Sequence, residues 1–264
     1  MSKNRFIFES TMEPQVLSKS KAKELKSLSS KKERDTRHLF FVEGEKCVND
    51  MIGAFDLKYL ICTRDWLNQN PDMEKSFKER ILLSDKRGIE IISSMSSLPD
   101  VIAVMQLPSR DENIPKLKDT GFYLLLDEIQ DPGNLGTIIR TCDWFGVYDI
   151  FASSNTVDAY SPKVVQASMG SLSRVKIHYL NLKELIEKNR NLPLIGTLLN
   201  GVPLSEFQHK GSGMILMGNE GRGISEKLKE MVDFPLTIPP VNPLYHPDSL
   251  NVSIATAIVL SHLI

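Results

Sequence analysis

Short apolar runs separated by helix-like segments recur through the second half of the chain, and this pattern limits the possible folds most strongly. The runs occupy residues 121–129, 149–153, 175–180, 193–199, 213–219 and 234–239. Continuous apolar strands are typical of a parallel sheet covered on both faces, because a strand with one solvent-facing side alternates apolar and polar residues. We therefore predict an α/β fold over residues 120–264, with a mostly parallel sheet and helices on both faces.

The first half shows the same alternation in a shorter form. Strand-like runs lie at 39–42, 57–63, 89–93 and 101–107, with charged, helix-like segments between them. This pattern predicts a small α/β domain over residues 1–107. Residues 108–119 are polar, contain two prolines and show no periodicity, so we interpret them as a linker between two domains.

The overall charge excludes a protein that binds nucleic acid through bulk positive charge. The chain has 32 Lys and Arg residues against 33 Asp and Glu residues, a net charge of −1, so any contact with a polyanion must come from a local patch. Residues 18–38 are such a patch, with eight basic and three acidic side chains. They form either a solvated helix face or an arm that contacts RNA phosphates through Lys19, Lys21, Lys31, Lys32, Arg34 and Arg37.

The cysteines and histidines favour neither disulfides nor a metal site. Cys47, Cys62 and Cys142 are scattered, and no pair of histidines has the spacing of metal ligands on one helix. So few cysteines fit a reducing compartment. The sequence also shows neither an apolar stretch long enough to span a membrane nor a secretory signal, so we expect a cytoplasmic protein that binds no metal.

Three loops that each follow a predicted strand carry the residues best suited to chemistry. The loop 131–136 presents Asn134 and leads into a helix with Arg140, and the loop 216–225 is rich in glycine around Glu220. The loop 238–253 precedes the last helix, with Ser249 as the expected N-cap. Ligands of open parallel sheets bind at the carboxyl ends of the strands, so the three loops form a candidate site. The alternative is that they are only a turn, a glycine turn and a helix cap.

Other enzyme classes fit these loops poorly. The glycine spacing at 218–223 is neither that of a P-loop nor the G-x-G-x-x-G of dinucleotide-binding dehydrogenases, and the sequence has no G-x-S-x-G elbow of a hydrolase. The final helix is apolar to its last residue, so we expect it to be buried against its own domain or against another subunit.

In combination, the three loops resemble the SpoU (TrmH-like) family of RNA ribose 2′-O-methyltransferases. The first is similar to the family's D-P-x-N-x-G…R-T motif, the second to G-x-E-G-x-G, and the third to I-P…S-L-N-V-S. The matching residues are Asp131, Pro132, Asn134, Gly136, Arg140, Thr141, Gly218, Glu220, Gly221, Gly223, Ile238, Pro239, Ser249, Leu250, Asn251, Val252 and Ser253. The pattern R-x-x-F-x-V-E-G-E at 37–45 resembles the ribosomal-protein-like substrate-binding domain that precedes many such catalytic domains.

The resemblance implies a homodimeric methyltransferase that uses S-adenosylmethionine and has a deep trefoil knot in its second domain. It implies catalytic roles for Asn134, Arg140, Glu220, Ser249 and Asn251. It also implies that the methyl donor is held by Leu199, Gly201, Gly218, Asn219, Gly221, Ile238 and Leu250. The implied substrate is structured RNA, with 23S ribosomal RNA favoured over transfer RNA, and the alternative function is that of a non-catalytic RNA-binding module.

The sequence leaves the role of Arg140 open. This residue matches the base proposed for the family, but an arginine guanidinium holds its proton strongly. Arg140 therefore serves either as the base or as a clamp on an RNA phosphate. The chain also departs from the family pattern at 239–248, where the loop is longer and lacks the usual glycine.

Overall fold

The computed structural model describes residues 13–109, 113–209, 211–242, 244–245 and 247–264. Residues 1–12, where the sequence predicts no secretory signal, lie outside these ranges. The described chain forms two β-sheets, one of five strands and one of six. None of its described helices is long and apolar enough to cross a membrane.

The first sheet is small and mixed. Its strands are β1 (Gln15–Val16), β2 (Leu39–Glu43), β3 (Leu57–Cys62), β4 (Ile81–Leu83) and β5 (Val101–Gln106). The order is β1-β4-β3-β5-β2, and β5 is antiparallel to both neighbours whereas the other pairs are parallel. The accompanying helices are α1 (Lys19–Lys26), α2 (Lys31–Arg37), α3 (Glu45–Met51), α4 (Arg64–Gln69), α5 (Pro71–Phe77) and α6 (Lys86–Ile92).

One strand predicted in this half is wrong, because residues 89–93 lie at the end of helix α6. Asp85 caps that helix, and its Oδ1 accepts a hydrogen bond from the Gly88 backbone N–H at 2.8 Å. Ile89 and Ile92 are fully buried, and their spacing of three residues places them on one helical face. The strand in this region is the three-residue β4, which is too short to show a period in the sequence.

The second sheet is entirely parallel. Its strands are β6 (Phe122–Leu126), β7 (Asp149–Ala152), β8 (Lys176–Tyr179), β9 (Leu194–Pro203), β10 (Gly213–Met217) and β11 (Phe234–Thr237). They lie in the order β11-β9-β10-β6-β7-β8, and each neighbouring pair is parallel. The carboxyl ends of these strands therefore lie at one edge of the sheet, where the loops that follow them can meet.

Helices cover both faces of the second sheet. They are α7 (Pro132–Phe145), α8 (Pro162–Ser168), α9 (Leu182–Lys188), α10 (Glu226–Lys229) and α11 (Val252–Leu263). Leu124 and Leu126 of β6 join a buried cluster with residues of α7 and α11, whereas Leu125 joins a second cluster with residues of α9 and α10. Both sides of this strand are thus buried, which confirms the predicted covered parallel sheet and explains the unbroken apolar run.

The terminal helix α11 is buried on only one side. Val259 and Leu260 are fully buried in the cluster that includes α7, whereas about half of Ile254 and of Ile264 is exposed. The face of the terminal helix toward α7 is therefore buried within the chain as expected, and burial of the opposite face against another subunit stays a prediction.

The described part of the predicted linker, residues 108–109 and 113–119, contains neither helix nor strand. Leu117 is nevertheless buried, and its backbone N–H donates to Asn189 Oδ1 at 2.8 Å. This segment therefore packs against the second sheet and its helices. The domain limits at 107 and 120 stay a prediction.

The two halves of the chain pack against each other through a shared core. One buried cluster contains residues of both sheets, and the rings of Phe40 and Tyr160 lie 5.0 Å apart between their centroids. Arg34 is only 2% exposed, its Nη2 lies 2.5 Å from Asp158 Oδ2, and its Nη1 donates to two backbone carbonyls. The prediction that Arg34 contacts RNA is therefore wrong, because its buried guanidinium joins the two halves.

Candidate active site

Three side chains from the three predicted loops meet at the carboxyl edge of the second sheet. Asn134 Nδ2 donates a hydrogen bond to Glu220 Oε1 at 3.1 Å, and Asn251 Nδ2 donates to Asn134 Oδ1 at 2.8 Å. We call Asn134, Glu220 and Asn251 the amide–carboxylate cluster. The loops are distant in sequence, so the parallel sheet is what brings these residues together.

Helix α7 sets the position of Asn134. Asp131 is the N-cap of this helix, Pro132 takes its first position, and Asp131 Oδ1 accepts from the Asn134 backbone N–H at 2.8 Å. The residues 131–134 are thus the beginning of the helix, and our prediction of a separate turn before it is wrong. Proline and a capping aspartate together favour this helix start.

The glycine-rich loop after β10 is tightly closed. The backbone N–H groups of Asn219 and Gly223 each donate to the other residue's carbonyl at 2.9 Å. Gly223 has a φ of +68°, and a Cβ on Gly218 would lie 2.3 Å from the Gly223 carbonyl carbon. The loop holds Glu220 at its tip, where the carboxylate also accepts from the backbone N–H groups of Gln130 and Asp131, at 3.4 and 3.3 Å.

Glu128 takes part in this arrangement and was not predicted from the sequence. It is a non-glycine residue with a φ of +58°, a conformation that costs energy and concentrates at functional sites. Its backbone carbonyl accepts from Asn219 Nδ2 at 2.8 Å, and its carboxylate accepts from Arg222 and Asn155 at 2.7 and 2.9 Å. A left-handed glutamate has no signature in a single sequence, so no signal pointed to it.

Asn251 also forms the N-cap of α11. Its Oδ1 accepts from the Ser253 backbone N–H at 2.9 Å and from Ser253 Oγ at 2.6 Å. The prediction of Ser249 as the cap is therefore wrong, and Ser249 lies exposed two residues earlier. The amide of Asn251 thus connects the start of the terminal helix to the cluster.

The residues predicted to hold a methyl donor lie in the second half of β9 and on the loops that follow β10 and β11. Leu199 and Leu250 are 78% and 49% exposed, and Ile238 is half-buried. The Leu199 carbonyl accepts from Thr237 Oγ1 at 3.1 Å, which places it beside the start of the third loop. A Cβ on Gly201 would lie 2.7 Å from the backbone of β11, so a glycine is required there for the two strands to approach.

Arg140 does not point toward the amide–carboxylate cluster within one chain. It follows Asn134 by six residues, which separates the two side chains by about 120° around an α-helix. Arg140 is exposed and lines a depression of about 410 Å³ together with Lys46, Asp143, Trp144, Met169, Ser171 and Arg174. The structure therefore places Asn134 and Arg140, which were both predicted to be catalytic, on different faces of α7.

The basic stretch 18–38 is partly neutralised by its own acidic residues. Lys21 pairs with Glu24 at 3.0 Å, Lys31 pairs with Asp35 at 2.8 Å, and Arg37 contacts two glutamates. Lys19 and Lys32 are exposed. Together with the burial of Arg34, these pairs leave a weaker positive patch than the count of basic residues predicted.

The cysteines have no role in the site. All three are buried, and burial raises the pKa of Cys142 in α7 well above its ordinary value and that of Cys62 to about 12. A thiol of that kind stays protonated and unreactive. Within the described ranges, no group of three or more His, Cys, Asp or Glu side chains could hold a metal ion.

Two family models match the chain. Residues 121–261, more than half of the sequence, match the SpoU rRNA Methylase family, and residues 19–102 match the MRM3-like substrate binding domain. Fold and site together are those of an RNA methyltransferase that carries an additional substrate-binding domain. The chain belongs to the SpoU rRNA methylase family. This membership confirms the predicted family and its activity, the S-adenosylmethionine-dependent methylation of a ribose 2′-OH in RNA.

Similar proteins align over nearly the whole chain. The 23S rRNA (guanosine(2553)-2′-O)-methyltransferase RlmP of Bacillus subtilis is 32% identical over 247 residues, which cover 92% of this chain and 95% of that protein. The AdoMet-bound rRNA methyltransferase of Sinorhizobium meliloti is 28% identical, with a TM-score of 0.82 and coverage of 95% of this chain and 96% of the other. The SpoU methyltransferase AviRb of Streptomyces viridochromogenes shares the fold, with a TM-score of 0.82 at 21% identity and coverage of 93% and 97%.

Proposed function

We propose that the protein methylates a ribose 2′-OH of 23S ribosomal RNA. The amide–carboxylate cluster carries this proposal, because three separate loops bring Asn134, Glu220 and Asn251 within hydrogen-bond distance at the strand ends. The likeness to RlmP, whose name gives 23S rRNA as its substrate, extends over 92% of this chain and supports ribosomal over transfer RNA. A ribosomal RNA substrate also agrees with the predicted cytoplasmic location.

The loops around the site fit S-adenosylmethionine. Exposed apolar side chains at Leu199 and Leu250, next to glycine-containing backbone, suit an adenine ring whose edges pair with backbone N–H and C=O groups. When bound, the donor supplies an electrophilic methyl group on a sulfonium. We assign its binding to Leu199, Gly201, Gly218, Asn219, Gly221, Ile238 and Leu250.

Asn134 is the side chain best placed to orient the ribose. Its amide has two hydrogens and two lone pairs, of which one hydrogen is given to Glu220 and one lone pair to Asn251. The remaining hydrogen and lone pair are available to a 2′-OH. Glu220 fixes the direction of the amide, because a carboxylate only accepts, and exposed Ser249 supplies a further hydroxyl. Such positioning can supply on the order of 7–11 kcal/mol of the barrier.

Arg140 acts in this proposal as a clamp on an RNA phosphate and not as the base. Its exposure and its direction away from Asn134 support this role. We expect Arg140→Ala to weaken RNA binding about tenfold and to lower the salt dependence of binding, since one phosphate contact is lost. Turnover at saturating RNA should fall much less. Unchanged RNA affinity with lost turnover would instead assign the proton transfer to Arg140.

The first half of the chain is proposed to bind the RNA, as a domain over 1–107 joined by residues 108–119 to the methyltransferase domain over 120–264. The match of residues 19–102 to a substrate binding domain supports this role. Phosphate contacts are assigned to exposed Lys19, Lys31, Lys32 and Arg37 and to the partly buried Lys21.

We also propose the trefoil knot that the family resemblance implies. Strand β11 lies at one edge of the sheet, and the chain that follows it crosses back toward β6. There Asn251, at the start of α11, contacts Asn134 at the start of α7. A return across β9 and β10 is the kind of path that a knot requires. Knots are otherwise nearly absent from proteins, so the family match is the main support.

A homodimer is proposed from the apolar surface next to the site. Ile254 of α11 and Ile264 just after it are both about half exposed, and a second copy would cover them. Light scattering coupled to size exclusion should give twice the mass of 29.8 kDa, and Ile254→Glu should shift the protein toward the monomer. A monomeric wild-type protein at working concentration would contradict this assembly.

The substrate is tested by mapping ribose methylation in total RNA from cells with and without the protein. We expect one 2′-O-methyl group to disappear from 23S rRNA and to return when the wild-type protein is restored. Glu220→Gln is the matched negative control, because it keeps the shape of the side chain and weakens its hydrogen bond to Asn134. A site lost from transfer RNA, or no lost site, would contradict the proposal.

A further inference from the structure

The depression around Arg140 lies where the two halves of the chain meet. Lys46 of α3 approaches it from the first half, and its Nζ lies 3.5 Å from the Met169 carbonyl of the second half. Arg140 and Trp144 of α7 form the opposite wall. Nothing in the proposed catalytic mechanism uses Trp144 or Lys46.

Trp144 is the unusual residue of this surface. It is 85% exposed, whereas Trp66, the other tryptophan of the chain, is 5% exposed. Tryptophan has a large apolar face that proteins generally bury. A tryptophan exposed to this extent on a rigid helix is well suited to contact a flat ring from outside.

Positive charge surrounds the ring. Arg140, Lys46 and Arg174 line the depression with a single carboxylate, Asp143. Asp143 holds Arg174 in place through contacts of 2.9 and 2.6 Å to the guanidinium. Lys46 is 2.8 Å from Asp50, so Arg140 is the most available cation of the three.

We propose that Trp144 stacks on a base of the RNA substrate and that Arg140 and Lys46 hold the adjacent phosphates. This inference rests on the proposed RNA methyltransferase function and adds a second contact point to it. An aromatic face beside cations is the arrangement by which proteins bind unpaired nucleotides. The depression therefore binds an unstacked nucleotide that flanks the methylated one.

Fluorescence offers a direct test, because the chain has only two tryptophans. In Trp66→Phe, all tryptophan emission comes from Trp144. This background variant should fold well, since the Trp66 Nε1 is a buried donor without a hydrogen-bond partner among the described residues. We expect 23S rRNA transcript and short single-stranded oligoadenylate to quench the emission, as stacked bases do.

Affinity measurements separate stacking from mere apolar contact. Trp144→Ala should weaken binding of the 23S rRNA transcript about tenfold, Trp144→Phe should stay near wild type, and Trp144→Leu should resemble Trp144→Ala. Thermal shift with S-adenosylhomocysteine should be equal in all variants, because the ring lies away from the donor loops.

Three results would overturn the inference. The subsite would be excluded if RNA did not quench the emission of Trp66→Phe and if Trp144→Ala kept the RNA affinity of the wild type. Normal methylation alongside these two results would leave the enzymatic function intact. Emission that changes with protein concentration in the absence of RNA would show that a second copy covers the ring. An affinity for RNA that Trp144→Leu fully retains would exclude stacking. Absence of methylation by the wild-type protein would count against the proposed function instead.

Discussion

At the scale of single residues, Asn251 performs two tasks with the two ends of one amide. Its oxygen caps helix α11, and its nitrogen donates to Asn134. Most side chains at a helix N-terminus are replaceable by another capping residue. Here the nitrogen adds a requirement that only asparagine meets.

Substitution of Asn251 can separate the two tasks. Asn251→Asp keeps the cap but replaces the donor with a carboxylate oxygen that faces Asn134 Oδ1. We expect the free energy of unfolding to fall by about 0.5–1.5 kcal/mol, the net value of one hydrogen bond. Methylation should fall at least about tenfold, because the Asn134 amide is then no longer held in position for the ribose. Urea unfolding and methyl transfer to RNA measure the two effects.

Asn251→Ala is the matched control, because it removes both tasks. It should lower the free energy of unfolding by about 1 kcal/mol more than Asn251→Asp does, because the cap is lost as well, and it should reduce methylation as strongly. Full activity in Asn251→Asp would show that the bond to Asn134 has no functional role.

Single residues also show the limits of sequence reasoning. Asn134, Glu220 and Asn251 could be predicted because three spaced motifs carry them, and the structure brings them into contact. The burial of Arg34 could not be predicted, because its partner Asp158 is 124 positions away. A basic stretch looks the same in sequence whether its charges face solvent, each other or a distant carboxylate.

At the scale of structural elements, the glycine-rich loop after β10 depends on one glycine more than on the others. A Cβ at Gly218 would lie 2.3 Å from backbone atoms of Gly223 and Ile224, whereas the nearest atom to a Cβ at Gly221 is 3.8 Å away. Backbone atoms held by reciprocal hydrogen bonds cannot move aside cheaply.

We therefore expect Gly218→Ala to destabilise the protein by about 1–3 kcal/mol, as overpacking does. Gly221→Ala serves as the control and should change the free energy of unfolding by less than about 0.5 kcal/mol. Urea unfolding at neutral pH measures both. Equal stability of the two variants would mean that the loop opens without cost.

A carboxylate connects the end of α7 to the 3-10 turn Ser171–Ser173. Hydrogen bonds from Arg174 hold the pKa of Asp143 below its ordinary value of 3.8. A carboxyl group with a lowered pKa stabilises the folded state above that ordinary value and loses this effect as the pH falls through the lowered one. Asp143→Asn should therefore lower stability at pH 7 by up to about 1 kcal/mol.

The pH dependence distinguishes this ion pair from simple packing. The stability difference between wild type and Asp143→Asn should stay constant down to about pH 4 and shrink below it. Thermal unfolding in a series of buffers measures the difference. If the stability difference between the two proteins persisted at the lowest pH of the series, the charge of the carboxylate would not be its cause.

The elements themselves were predictable where their patterns were long. Six apolar runs correctly predicted the strands of the second sheet. Central strands such as β10 are buried along their whole length, whereas the edge strands β8 and β11 are mostly half-buried. Residues 89–93 misled because isoleucine favours strands, while the N-cap Asp85 and burial on one side make them the end of a helix. At 131–134 the sequence did carry a signal of a helix start, because an aspartate at the N-cap is followed by a proline at the first helical position. The prediction of a turn there gave too much weight to the turn preference of proline and glycine.

At the scale of the whole molecule, the buried pair of Arg34 and Asp158 makes the stability of the two halves interdependent. Asp158→Asn keeps the shape of the side chain but leaves the guanidinium buried without a countercharge. Breaking a buried ion pair in this way costs about 3–5 kcal/mol. We expect such a loss in urea unfolding.

The double variant Arg34→Met with Asp158→Leu provides the control. With no charge left at the junction, it should recover at least half of the stability lost in Asp158→Asn, as replacement of buried pairs by apolar residues often does. A single-site loss below about 1 kcal/mol would show that water reaches the pair and that the two halves are less closely joined.

The shared core also restricts what recombination could do with this protein. Phe40 covers Tyr160, and Arg34 neutralises Asp158, so both contacts cross from the first half to the second. A chimera in which another RNA-binding module replaces residues 1–107 would expose the Tyr160 ring. It would also leave the Asp158 carboxylate of the second half without its positive partner. New specificities would therefore have to arise by changes on the outer surface of the first half, with its inner surface preserved.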